Sequence, residues 1–322
     1  MKRRHLMLGS LAMAAPFVAR ADGAWPIKPV RFIVPFAPGG GTDSVSRLIC
    51  DQLSRRLGQS FVVDNKGGAG GNIGTVELAR SAPDGYTLGL ISVASHTLNP
   101  MLYRKLPYDA DKDIIAISRV ALLANLLGVT NSLPVSNVAE LISLCKKEPG
   151  KYAFASSGPG TSLHLSGELF KALAGVDIVH VPYKGAGQVY GDLIAGTVQM
   201  MFANMPSMIG QVRGGQVRGL GVTSAERSKA APDIPAIDET VPGYVATSWY
   251  GVGAPTGTPE PILARLETAI GEALATPEIQ KRWRDDLGLD MPPAGRAGFQ
   301  AFIEADRKQW APAVKASGVH LD

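Results

Sequence analysis

Cysteine is nearly missing: the 322 residues hold two, Cys50 in SRLICDQL and Cys145 in AELISLCKKE, 95 positions apart. Neither belongs to a Cys/His/Asp/Glu group with metal-ligand spacing, so the chain offers no metal motif. An exported chain can join such a pair as a disulfide. Each cysteine, however, sits among apolar helix neighbours, and the pattern predicts two separate buried thiols. Fixed-period repeats and low-complexity tracts are also absent, and charged residues make up a modest 19%; a chain of this composition folds rather than staying disordered. Beyond the N-terminus no apolar run is long enough to span a bilayer.

Net charge is missing too, once the N-terminus is set aside. MKRRH is a basic head, LMLGSLAMAAPFVA an apolar stretch and Ala19-Arg20-Ala21 a small-x-small cleavage site, which predicts a signal peptide over 1–21, cut after Ala21. The apolar stretch is short for a membrane anchor and contains Gly9 and Pro16. Arg3-Arg4 leaves the twin-arginine and Sec routes both open. Lys2, Arg3, Arg4 and Arg20 account for four of the 32 basic residues, so 28 basic residues then face 28 acidic ones. A neutral chain has no electrostatic footprint for nucleic acid. The expectation is a soluble, exported protein.

What the chain does have is alternation. VRFIVPF, FVVDN and YTLGLIS read as strands, separated by the helical TDSVSRLICDQLSRRLG and GNIGTVELARSA; NLLGVT, YAFASS, DIVHVPY, VQMMFAN and RGLGVTS continue the pattern with helices between. SNVAELISLCKKEPG is a helix with Ser136 or Asn137 as N-cap. This is α/β grammar, with mostly parallel sheets flanked by helices. The Pro/Gly-rich stretch before WYGVGAP carries the chain back to the first unit. The second unit then becomes an insertion: one lobe from 22–124 and 249–322, another from 125–248. Crossovers near 120–127 and 245–252 form a hinge.

Glycine is plentiful at strand-to-helix junctions. RFIVPFAPGGGTDSVSRLI places Gly39, Gly40, Gly41 and Thr42 where a helix begins, with unpaired backbone N–H groups and a positive dipole end. Such a loop turns sharply and offers donors to an anion. Thr42 or Asp43 is expected to cap the helix; the charge of Asp43 would repel an anion, which favours a loop-holding role. FASSGPGTSLHLSGE repeats the device in the second unit, through Ser157, Gly160, Thr161 and Ser162. The two helix ends can therefore face each other across a cleft and grip one anion. NKGGAGGNIG lacks the Gly-Lys-Ser/Thr ending of a phosphate loop and reads as a tight turn lining the cleft.

An enzyme would have to use Ser157 and His164 as nucleophile and base, but no G-x-S-x-G elbow surrounds the serine and no carboxylate is assignable as orienter. His164 reads instead as a neutral ligand donor or packing residue, and His96 and His180, in or beside strand patterns, as structural histidines.

In these motifs the chain resembles the Bug-type substrate-binding receptors of tripartite tricarboxylate transporters. WPIKPVRFIVPFAPGGGTDSVSR, SAPDGYTLGL, LPYDADKD, SSGPGTSLHLSGELFK, VHVPYKGAGQVYGDLIAG, VRGLGVTSAERS and APTGTPEPI follow the family's order. The resemblance implies a two-lobed periplasmic binding-protein fold, type II-like. It implies a monomer without cofactor that closes on a small organic carboxylate and delivers it to membrane permease subunits. By motif match it implies ligand contacts from Phe36, Ala37, Pro38, Gly39, Gly40, Thr42 and Asp43 in one lobe. The other lobe would contribute Ser157, Gly160, Thr161, Ser162 and His164, with Ser92, Ala94 and Lys184 as cleft neighbours. Ala203 in MFAN stands where the family pattern usually has an acid, which disfavours an ammonium-bearing ligand, and DNKGG replaces the more usual ENRPG. The same fold can instead present its ligand to a membrane kinase, and an exported serine hydrolase is the further alternative.

Overall fold

The computed structural model describes residues 25–291 and 295–322; the expected signal segment and its cleavage site lie outside them. The chain runs β1 (Val30–Val34), α1 (Gly41–Leu57), β2 (Phe61–Asn65), α2 (Asn72–Ala79) and β3 (Thr87–Ser92). A π-helical turn, Ala94–Leu98, then leads into α3 (Asn99–Leu102), and β4 spans Ile114–Thr130. Next come α4 (Val138–Lys147), β5 (Ala153–Ser156), α5 (Ser162–Ala174), β6 (Val179–Pro182), α6 (Val189–Ala195), β7 (Met200–Asn204), α7 (Met205–Arg213) and β8 (Val217–Val222). β9 (Thr247–Pro255), α8 (Glu260–Ala275), α9 (Pro277–Lys281), β10 (Leu289–Asp290) and α10 (Arg296–Ser317) complete it.

Helix ends follow local chemistry. Gly58 adopts a left-handed φ of 72° and ends α1 by bonding the Ser54 carbonyl. Of the two expected caps on α4, Asn137 accepts from the Glu140 N–H at 2.9 Å, while Glu140 reaches back to the Ser136 N–H.

Strands line up as β2-β1-β3-β9-β4-β7-β5-β6, with β8 and β10 also on β4. Pairing is parallel for β1 with β2 and β3, and for β5 with β6 and β7. The crossover strands β4 and β9 pair antiparallel to their neighbours and to each other. β4 is 17 residues long; the sequence pattern had shown only its second part, NLLGVT. Its residues up to Ala124, opposite Thr247, pair with β9, and from Asn125, opposite Asn204, it pairs with β7. One strand is thus shared by two sheet regions.

Each region has its own core. Phe32 of β1 packs with Ile49 and Leu53 of α1 and Leu266 and Ile270 of α8 in one core, and Val189, Leu193, Met201, Met208 and Val222 fill the other region. A third cluster crosses between them and includes Ile33, Ile91, Phe154, Phe202, Trp249, Ile303 and Trp310. Burying each such side chain contributes roughly 1.5–3 kcal/mol. Here α10 lies against both α5 and β4. Its buried Asp306 accepts hydrogen bonds from Thr97 Oγ1 at 2.5 Å and Trp249 Nε1 at 2.7 Å, which ties the helix to the elements beneath it. Among the described residues no helix is long and apolar enough to cross a membrane. Both cysteines are free and buried.

Candidate functional site

A cleft between the two sheet regions leaves only about 20 Å³ of free space. That is room for about one water, so the cleft is nearly shut. Its lining gathers helix beginnings. Gly41 and Thr42 open α1; Thr161 and Ser162 open α5; Val93 and Ala94 open the π-helical turn; Ala186 opens the turn into α6; Asn204 precedes α7. The strands β3 and β9 add Ser92, Ser248 and Tyr250, and Phe36, Ser157 and Leu163 complete the wall. No lining side chain is charged. The positive character of the cleft therefore comes from helix dipoles and unpaired N–H groups.

The three glycines at the head of α1 each have a separate reason. Gly39 has φ 84°, Gly40 sits against Ala186, and a methyl on Gly41 would fall 2.7 Å from the Asn204 Cβ. Expectation and structure part over the cap. The N-cap is Gly40, with no side-chain bond, and Asp43, in the third helical position, instead reaches back to the Gly39 N–H at 3.1 Å. Its other oxygen accepts from Asn65 at 3.1 Å and from Arg47 at 3.0 Å. Burial alone would raise the Asp43 pKa, but Arg47, the Gly39 N–H and Asn65 together hold it below the usual carboxylate range. Asp43 holds the loop and does not line the cleft.

The second loop is held in the same way. Thr161 caps α5 by accepting from the His164 N–H at 3.4 Å and donates to the Gly158 carbonyl at 2.7 Å. His164 turns away from the cleft: its Nδ1 accepts from the Gly160 N–H at 3.3 Å, and its ring stacks on His180 at 4.0 Å. Burial, with His180 and Lys171 adding to it, pushes its pKa down to about 3. His164 is therefore a neutral packing residue, with no bond to Ser157. Two other serines meet histidines: Ser156 lies 2.7 Å from His180 Nε2 but is fully buried and already bonded to Gly158, and Ser95 lies 2.9 Å from Nδ1 of the buried His96. His96, expected in or beside a strand, lies in the π-helical turn, where burial lowers its pKa to about 3.

Of the residues singled out from sequence, the cleft brings together Phe36, Thr42, Ser92, Ala94, Ser157, Thr161 and Ser162. Ala37, Pro38, Gly39, Gly40 and Gly160 shape the loops outside the lining. Lys184 is exposed; its backbone carbonyl lies near Gly67. Ala203 points into the core beside Met201 and Met205, because alternation along β7 gives the cleft to its neighbour Asn204. Asn204 donates to Asn125 at 2.8 Å, and Asn125 in turn to Ser166 at 3.0 Å. Asn204, Ser248 and Tyr250 escaped the sequence reading; the strand-to-helix junction at Asn204-Met205-Pro206 is the signal that marks the first. NKGGAGGNIG closes over the cleft rather than lining it: Gly70 meets Pro159 of the opposite loop. Among the described residues no group of acidic, His or Cys side chains is placed to hold a metal.

Residues 45–319 match the family described as tripartite tricarboxylate transporter family receptor. The R. palustris protein Rpa4515, solved with adipate, is 38% identical, with a TM-score of 0.89 over 92% of this chain and 99% of that one. The periplasmic binding protein BugD is 34% identical, with a TM-score of 0.87 over 92% of this chain and 99% of that one. MatC from Rhodopseudomonas palustris, solved with bound malate, is 31% identical, with a TM-score of 0.85 over 90% of this chain and 100% of that one. With the fold, the paired loops and these likenesses in agreement, the chain belongs to the receptor family of the tripartite tricarboxylate transporters, periplasmic solute-binding proteins rather than enzymes.

Proposed function

We propose that this chain captures a small organic carboxylate between two lobes, 22–124 with 249–322 and 125–248, and hands it to the membrane permease subunits of a tripartite transporter. The change of β4 pairing partner between Ala124 and Asn125 supports that lobe boundary. The carrying observation is that α1 and α5 begin on opposite sides of one cleft whose lining holds no charged side chain. A carboxylate between them takes N–H and hydroxyl donors from both. Each hydrogen bond to a charged group contributes about 1.5–3 kcal/mol, and each helix end a further 0.3–1 kcal/mol or so. An ammonium would meet the same positive ends with no acidic side chain to balance it, so amino acids are disfavoured. The relatives solved with adipate and malate support a carboxylate ligand. The receptor works as a monomer, exported by the Sec or twin-arginine route and cut after Ala21.

Thermal unfolding of the mature chain against mono-, di- and tricarboxylates, aromatic acids, amino acids and phosphate tests this reading. A ligand at a hundred times its Kd adds about 2.7 kcal/mol to the folded state. We expect one carboxylate class to raise the midpoint. No shift with any anion, or an amino acid binding tighter than its deaminated analogue, would overturn the reading.

A further inference from the structure

Where β4 exchanges β9 for β7, between Ala124 and Asn125, Asn125 faces Asn204 directly across the antiparallel pair, which puts both side chains on one face of the sheet. Asparagine is a poor strand former, and burying its amide is costly unless both ends are bonded. Asn125 is fully buried, and both ends of its amide and both of its backbone groups have partners. Its Oδ1 accepts from Asn204 Nδ2 at 2.8 Å, and its Nδ2 donates to Ser166 Oγ at 3.0 Å. Its N–H donates to Thr223 Oγ1 at 2.7 Å, and its carbonyl accepts from the Thr223 N–H at 2.9 Å. Thr223 in turn holds Ala246, just ahead of β9: its hydroxyl donates to the Ala246 carbonyl at 2.6 Å, and its carbonyl accepts from the Ala246 N–H at 2.8 Å. Asn125 is thus tied to both crossover segments at once. Its side-chain bonds lead toward the cleft, where Asn204 lines the wall ahead of α7 and Ser166 lies one turn along α5 from the lining residue Ser162. Asn125 and Ser166 themselves stand outside the lining.

We propose that Asn125 is a positioning residue for ligand capture: it touches no ligand, but it fixes Asn204 and the head of α5 to the two crossover segments, so that rotation at the hinge carries both onto the ligand as one unit. A buried polar network whose members are all bonded stiffens the elements it joins. Apolar packing alone would leave the heads of α5 and α7 free to shift separately. The inference rests on the receptor reading above and extends it from the cleft to the hinge.

A double-mutant cycle read in ligand affinity tests the role. The mature protein is titrated calorimetrically with succinate, adipate, malate, citrate and benzoate, and the tightest binder is carried into Ser166→Ala, Asn204→Ala and the double variant. Ser166 and Asn204 are joined through Asn125, so losses that act through it cannot be independent. Each single substitution should weaken binding roughly two- to tenfold, the size of one hydrogen bond. The double variant should bind about twofold or more tighter than the product of the two losses predicts. Repeating the cycle in Asn125→Leu should abolish that excess. Should Asn125→Leu fail to fold, the first cycle still decides. Losses that simply multiply, or a Ser166→Ala variant that melts earlier yet binds at wild-type strength, would make the network a purely structural one and overturn the positioning role while leaving the carboxylate grip intact. Coupling that persists undiminished in Asn125→Leu overturns it equally. A wild type that binds none of the five acids overturns the receptor reading itself, and this inference with it.

Discussion

Gly187 lies against the carbonyl of Pro38 so closely that a methyl group on its Cα would fall 2.2 Å from that oxygen. The contact joins the loop before α1 to the loop before α6, across the cleft. Gly70 and Pro159 make the matching contact on the neighbouring pair of loops, at 2.1 Å. Backbone lies directly on backbone at both places, so the glycines permit closure as well as the turns.

Gly187→Ala should therefore spare the fold and hinder closure. Gly187 is the cleaner position because Gly70 has a φ of 63°, where any side chain adds strain. An overpacked contact costs about 1–3 kcal/mol, which corresponds to roughly a five- to 150-fold loss of ligand affinity. Titration calorimetry reads the affinity, and small-angle scattering should show the variant remaining expanded with ligand present. Undiminished affinity would mean that the two loops do not close together.

Asp43→Ala should destabilise the chain by on the order of 1–3 kcal/mol, since the Gly39 N–H, Asn65 and Arg47 lose a shared acceptor; Arg47 contributes little of this because its side chain is 56% exposed and screened by water. Ligand affinity should fall as well, through the loosened loop. The folded-state pKa lies below the unfolded value of about 3.9. The stabilisation is thus present above about pH 4 and is lost as pH falls through the lowered folded value. Denaturant unfolding over a descending pH series from pH 7 measures both effects, and the gap between variant and wild type should stay constant above about pH 4 and narrow as pH falls below it.

The stacked pair His164 and His180 gives a second acid dependence. Unfolded histidine takes up a proton near pH 6.5 or so, whereas burial lowers the folded values to about 3 for His164 and about 4 for His180. Between those limits the unfolded chain binds more protons, so stability rises with pH and is lost on acidification below about pH 6.5. His180→Phe keeps a ring against Phe154 and removes one titrating group. Its unfolding free energy should fall less steeply from pH 6.5 to 4.5 than that of wild type; an unchanged slope would show that His180 is not held neutral.

Burial pushes the Cys145 thiol up to about 11 and the Cys50 thiol further still. Neither should react with an aromatic disulfide reagent at pH 8 while the protein is folded, and denaturant should release two thiols. Fewer than two would reveal a disulfide.

Periodicity and glycine placement carried much of this architecture into the sequence. The paired loops at Gly39–Thr42 and Ser157–Ser162 were legible because a strand, a glycine run and a helix leave the same local signature wherever they occur. Tyr250 and Ser248 were not legible: they sit within a fully buried strand and reach the cleft only through the register of β9 with β3 and β4. His164 matched a family motif, yet its role depends on a ring 16 positions away, His180. Ala203 missed the cleft by one residue, because a one-residue step along a strand exchanges its two faces. The π-helical turn at Ala94–Leu98 follows β3 directly, and its apolar residues merge into the strand pattern.

Nitrogen-15 NMR of the mature protein during titration with the carboxylate that stabilises it most tests the two-sided grip directly. The backbone amides of Gly41 and Thr42 at the head of α1, and of Ser162 and Leu163 at the head of α5, should shift together with a single Kd. Shifts at only one of the two helix ends, or at neither while ligand binds, would contradict a carboxylate held between them.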